Sequence, residues 1–211
     1  MTDTLHRCVS DEDLGREFIV FCAMAKGINE RGWGKRARQF AEICMKHSPV
    51  NIGDISQFIH GNFSEKAKAI VQNISDRSDE VKFVFTDLDS LVGVLTELRE
   101  ADLGISIDVT GDEELVERAL RKAKLRKHSV EHSLGVRGRV ERLPPRQILE
   151  LTTMCGHGMV PASAVNMIIN ELKLGRLTAA EAADLLSIPC VCGIVNTERA
   201  AKLLEQLKVR A

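Results

Sequence analysis

Two glycine-bearing breaks near the C-terminus hold the residues best suited to chemistry: Met154-Cys155-Gly156-His157-Gly158 and Pro189-Cys190-Val191-Cys192-Gly193. Thiolates one residue apart, as at Cys190 and Cys192, reach a common centre only where the backbone turns sharply. Glycines at 156, 158 and 193 permit the left-handed dihedrals of such turns and let backbone N–H groups point at sulfur. Three thiolates with the imidazole of His157 suit tetrahedral zinc, whereas three thiolates with an open or His-filled fourth position suit a [4Fe–4S] cluster. Structural zinc sites space paired ligands by about two to four residues, so the one-residue gap favours iron–sulfur. The same residues also read as a redox-active thiol pair, or as plain buried cysteines, because a free thiol packs as a compact hydrophobe. Asn196 and Arg199 follow the second break, where a helix start turns its N–H groups toward a negatively charged cluster or ligand. Their other reading is an N-cap and a solvated first-turn residue.

The elements that position these breaks are legible as helices. Pro161 to Leu174 is stopped by Gly175, and Thr178 to Ser187 opens with the Thr178-Ala-Ala-Glu181 spacing of a capping box. A hairpin of these two helices returns residue 190 toward residue 158, so the sequence gap between Cys155 and Cys190 is no obstacle. A last helix runs from Asn196 or Thr197 to Lys208. Pro144-Pro145 marks a boundary near residue 143, since neither residue donates a backbone hydrogen bond. The expected organisation is therefore residues 1–143, a helical plus α/β region, and 144–211, a C-terminal helical metal-binding region.

Upstream, residues 11–75 read as helices separated by turns: Phe18, Val20, Phe21 and Ala25 recur at helical intervals, Gly27 to Gly34 breaks that helix, Phe40, Ile43 and Cys44 mark the next, and another runs from about Glu65 to Ile74 behind a cap at Asn62 or Ser64. Val81 to Phe85 and Leu103 to Val109 read as strands, with a third at His128 to Val136. Helices capped by Asp87 or Asp89 and by Asp112 lie between them. Alternation of strand and helix with short connections predicts an α/β fold: N-terminal helices, a small mainly parallel sheet with covering helices, and the C-terminal helical region.

The segments Cys155-Gly-His-Gly-Met-Val160, Gly175-Arg-Leu-Thr-Ala-Ala-Glu-Ala-Ala183 and Cys190-Val-Cys-Gly-Ile-Val-Asn-Thr-Glu-Arg-Ala200 resemble the C-terminal signature of an uncharacterised protein family of anaerobic microbes. That family has no named activity. The resemblance covers about the last quarter of the chain and implies that Cys155, Cys190 and Cys192 act together, with His157, Asn196 and Arg199 beside them. An anaerobic setting would in turn suit an oxygen-sensitive cluster.

Composition sets the outer bounds. With 44% hydrophobic and 28% charged residues and a net charge of -1, the 211-residue chain is no disordered polymer. No apolar run approaches the roughly 20 residues that cross a bilayer, and the first residues lack an apolar signal block, so no membrane role and a cytoplasmic location are expected. Six cysteines are too few and too uneven for a secreted disulfide scaffold. Cys22 and Cys44 fall among helical apolar positions and read as core, and Cys8 takes no ligand role. Seven Phe, one Trp and no Tyr leave little surface for stacking bases, which counts against nucleic acid. A helix-turn-helix rhythm across Leu177 to Ala200 ranks third behind a cluster and a zinc-stabilised adaptor, because Pro189 and the cysteines occupy the turn. A redox partner protein or a small anionic ligand is the implied partner.

Charge is uneven: residues 76–114 hold twelve acids and three bases, while 118–146 hold ten Lys or Arg and two Glu. The basic stretch reads either as an anion-attracting surface or as a solvated helix face. His128 and His132, four apart, read as metal or anion ligands or as ordinary surface histidines. Gly-x-Ser-x-Gly, Walker and His-Glu-x-x-His patterns are absent from the sequence, so the commonest hydrolase, nucleotide and zinc-protease assignments have no support.

Overall fold

The computed structural model describes residues 7–10, 13, 15–57, 63–133 and 135–209. They pack as two compact units. A sheet unit takes the described residues of 11–129 together with 191–194, and a helical unit takes those of 1–10, 130–190 and 195–211.

The sheet unit runs β1 (Phe18–Ala23), α1 (Trp33–Met45), β2 (Asn51–Asp54), α2 (Phe63–Asn73), β3 (Glu80–Phe85), α3 (Leu88–Ala101), β4 (Ile107–Thr110) and α4 (Glu113–Lys122). Strand order is β2-β3-β1-β4 and every neighbouring pair is antiparallel. The expected mainly parallel sheet is thus corrected. Each of the crossovers through α1 and α3 skips one position, and an oppositely directed strand fills the gap, which is the split β-α-β arrangement. Phe18, Val20 and Cys22 face the same side as Ile52, Val81, Phe83 and Phe85, and pack there with Trp33, Phe40 and Cys44 of α1 and Leu91, Val94 and Leu95 of α3. Phe40 meets Phe83 edge-on at 5.7 Å between centroids.

Further expectations fail. Phe18 to Ala23 and Asn51 to Asp54 are strands where the sequence reads as helix: Ile19 on the second face of β1 is buried along with Phe18, Val20 and Cys22 on the first, so the alternation of a half-exposed strand is missing from the letters. The expected third strand does not form either; residues 128–133, 135 and 136 are exposed and irregular, and Leu134 lies outside the described residues. An alternation of His, Ser and Val without a buried partner surface has nothing to hold it in a sheet.

The local signals elsewhere translate directly. The Asp87 side chain accepts from the Ser90 N–H at 2.7 Å and caps α3, and Asp112 accepts from Leu115 N–H at 3.0 Å and caps α4. Asn62, the other expected cap, lies outside the described residues. The Gly27 to Gly34 stretch turns between β1 and α1, with Gly27 and Gly32 both left-handed, and the Trp33 indole N–H donates to the Ser78 carbonyl.

The helical unit contains a 3₁₀ turn (Val140–Arg142) and α5 (Arg146–Thr152), α6 (Ala162–Lys173), α7 (Ala179–Ser187) and α8 (Thr197–Val209). Its core is made by Ile148, Leu151, Val165, Ile168, Leu172, Ala183, Leu186 and Leu204. The capping box of α7 is complete: Glu181 N–H donates to Thr178 Oγ1, and Thr178 N–H donates to Glu181 Oε2 at 2.8 Å. The Thr178 N–H and hydroxyl, both donating to that carboxylate, hold Glu181 below its usual range. Among the described residues no helix is long and apolar enough to cross a membrane.

Candidate functional site

The α6–α7 hairpin sits between the two breaks and brings Cys190 back to Cys155. The approach to Cys155 is built by the end of α5. Thr153 is its C-cap, and Gly156 N–H donates to the Thr153 carbonyl at 2.9 Å. The chain then reverses in a three-residue turn in which His157 N–H reaches the Cys155 carbonyl at 2.9 Å around Gly156, whose φ is 76°. A side chain is strained in that conformation, so the glycine is required. Gly158 repeats the left-handed backbone with φ 68°.

This path turns backbone donors inward. The N–H groups of His157 and Met159 both point at the Cys155 sulfur, and the Cys155 and Cys190 thiols share a hydrogen bond. That contact with Cys190 is the main cause that pushes the Cys155 thiol above its ordinary range, with burial adding to it and the two N–H groups opposing it. Cys155 and Cys190 are buried, whereas His157 is half-buried with its ring two residues from Cys155 in the chain. No disulfide joins any of the cysteines.

Cys192 belongs to the segment 191–194 that packs with the sheet unit. It is buried too, yet among the described residues no group of three or more His, Cys, Asp or Glu side chains is gathered to hold a metal ion. Two of the three expected sulfurs are therefore together, and the third stands two residues along the chain from Cys190.

Asn196 and Arg199 are engaged at the start of α8. The Asn196 side chain accepts from Arg199 N–H at 2.9 Å, which is an N-cap, and Asn196 is wholly buried. Arg199 is buried rather than solvated: its Nη2 donates to the Cys8 carbonyl at 3.0 Å and lies 4.0 Å from Glu150 Oε2. Sequence reasoning missed this neighbourhood. Arg146 Nε meets Glu150 Oε1 at 3.3 Å, Cys8 N–H donates to Thr153 Oγ1 at 2.8 Å, and the Cys8 thiol is raised chiefly by burial. The i, i+4 spacing of Arg146 and Glu150 was the available signal.

Cys22 and Cys44 lie in the core of the sheet unit. His128 is exposed and contacts Ser129 at 3.1 Å. Of the basic stretch only Arg118, Arg121 and Lys122 lie on α4, with Arg121 paired to Glu117; Lys127, beyond the helix end, bridges Glu113 and Glu117. Compared with known proteins, the chain matches no family, no curated protein and no solved structure.

Proposed function

We propose that the protein binds a metal centre through Cys155, Cys190 and Cys192, with a [4Fe–4S] cluster as its occupant and a redox or small-molecule-activating role. The observation that carries this reading is the Cys155–Cys190 contact at two glycine turns, with the His157 and Met159 N–H groups aimed at one of the sulfurs. Thiols that share a proton in the free protein become thiolates when a metal replaces that proton, and N–H donors to sulfur stabilise the added negative charge. Cys192, two residues along the chain from Cys190, is the third ligand of this proposal. His157 then stands as fourth ligand or as proton donor. Asn196 and Arg199 support the site by fixing the start of α8 and the segment at Cys8. When bound, a cluster supplies one-electron chemistry, or an open iron for a small molecule, while the chain orients it and limits water.

Anaerobic purification followed by iron, sulfide and zinc determination tests the reading. Brown protein carrying iron and acid-labile sulfide, both lost in Cys192→Ala, is the expected result. Colourless protein holding one zinc would replace the cluster with a zinc-stabilised adaptor, and protein free of metal after reconstitution would remove the metal reading altogether.

A further inference from the structure

β2 is an edge strand, and all four of its residues are nevertheless buried. Part of its cover is the peptide that carries Cys192. A Cβ placed on Gly53 would lie 2.6 Å from the Gly193 nitrogen and closer still to the Cys192 carbonyl group. A Cβ placed on Gly193 would lie 2.5 Å from Gly53 Cα and closer still to the Ile52 carbonyl. The two backbones therefore touch face to face, each at a residue without a side chain, and Gly193 adopts φ 68° there as well. A glycine inside a strand commonly marks such a close approach of another backbone. The obstructing atoms are peptide atoms on both sides, so neither partner can give way by turning a side chain.

We infer that Gly53 and Gly193 form a clasp that positions Cys192: β2 fixes the Cys192 backbone and leaves the thiol its side-chain torsion alone. This rests on the proposed function for its purpose, but the clasp has a readout of its own. Gly53 and Gly193 are positioning residues; neither touches a ligand. Sequence spacing alone assigns Gly193 to the cysteine turn, while Gly53, far away in the chain, enters only through this contact.

The test is thiol alkylation of the native, chelator-treated chain with iodoacetamide, followed by peptide mass spectrometry of each cysteine. Lifting the loop off β2 should make Cys192 react roughly tenfold to a hundredfold faster in Gly53→Ala, and likewise in Gly193→Ala, as expected for the overpacking of a closed contact. Cys22 and Cys44 should stay at their native rates, which reports that the sheet unit remains folded. Gly104→Ala, in an open turn of the same unit, should leave Cys192 as slow as in the native chain. The clasp is overturned if Cys192 keeps its native rate in both variants, or if Cys22 and Cys44 accelerate in parallel with it in both. In a second arm the anaerobically reconstituted Gly53→Ala chain should carry less iron than the native one. If the native chain takes up no metal, the proposed function fails and the alkylation arm still decides the clasp.

Discussion

Two buried cysteine pairs occupy the molecule, and they differ in almost everything except the residue type. Cys22 and Cys44 project from β1 and α1 into an apolar core beside Trp33, Phe40 and Phe83. Burial is the dominant cause raising both thiols, and Cys22 adds to it at Cys44. Cys155 and Cys190 instead stand at the ends of helices, where the chain leaves regular structure. There the largest influence on Cys155 is another thiol, and backbone donors oppose it. Regular elements spend most backbone donors on their own ladders, whereas a left-handed glycine turn has donors to aim elsewhere. The proposed soft-ligand chemistry therefore rests on the second pair, and packing on the first.

The sharpest way to break this contrast is to exchange the pairs as targets. Cys155→Ala and Cys190→Ala should each reduce the iron of anaerobically reconstituted protein to background, while Cys22→Ala and Cys44→Ala retain the native content; equal loss in all four would erase the distinction. The next effect is on stability. Cys44→Ser buries a hydroxyl among apolar side chains and should lower unfolding free energy by about 1–3 kcal/mol in urea titrations, with iron content unchanged.

The same thiols predict a pH dependence of the metal-free chain. Cys22, Cys44 and Cys155 are all raised in the folded state above the ordinary thiol value of 9.0. Above that pH the unfolded chain holds fewer protons than the folded one, so stability is full below pH 9.0 and falls as pH rises beyond it. Denaturation measured from pH 8 to pH 10, roughly spanning the unperturbed thiol value, should show this decline, and Cys44→Ala should make it shallower while Cys22 and Cys155 keep the rest. The smallest effect expected is in the helical unit, where Thr178→Ala opens the capping box and should cost about 1 kcal/mol of stability without touching iron content.

How much of this was readable in the letters follows from the range of each interaction. The caps at Asp87, Asp112 and Thr178 are contacts within a single turn, and they form where the sequence places them. The α6–α7 hairpin is set by helix length and by Gly175, so the return of Cys190 to Cys155 was legible as well. Strand order was not, because it depends on which strands share a buried face and not on any local pattern. β1 was hidden by being apolar on both faces. Gly53 carried a signal, a glycine at a buried strand position, but its partner Gly193 is distant in sequence and only the fold joins them.

The covered edge at β2 has an effect on solubility. A strand edge offers a row of unsatisfied donors and acceptors on which a second chain can add, and proteins close such edges with loops or guard them with charge. The Cys192–Gly193 peptide packs on the edge strand β2 at Ile52 and Gly53, while at the other edge β4 is short and carries exposed Asp108. A chain whose loop has lifted from β2 would bare a flat, uncharged template at Ile52 and Gly53, and its failure would be seen as strand-mediated accretion into aggregates rather than as a change in chemistry.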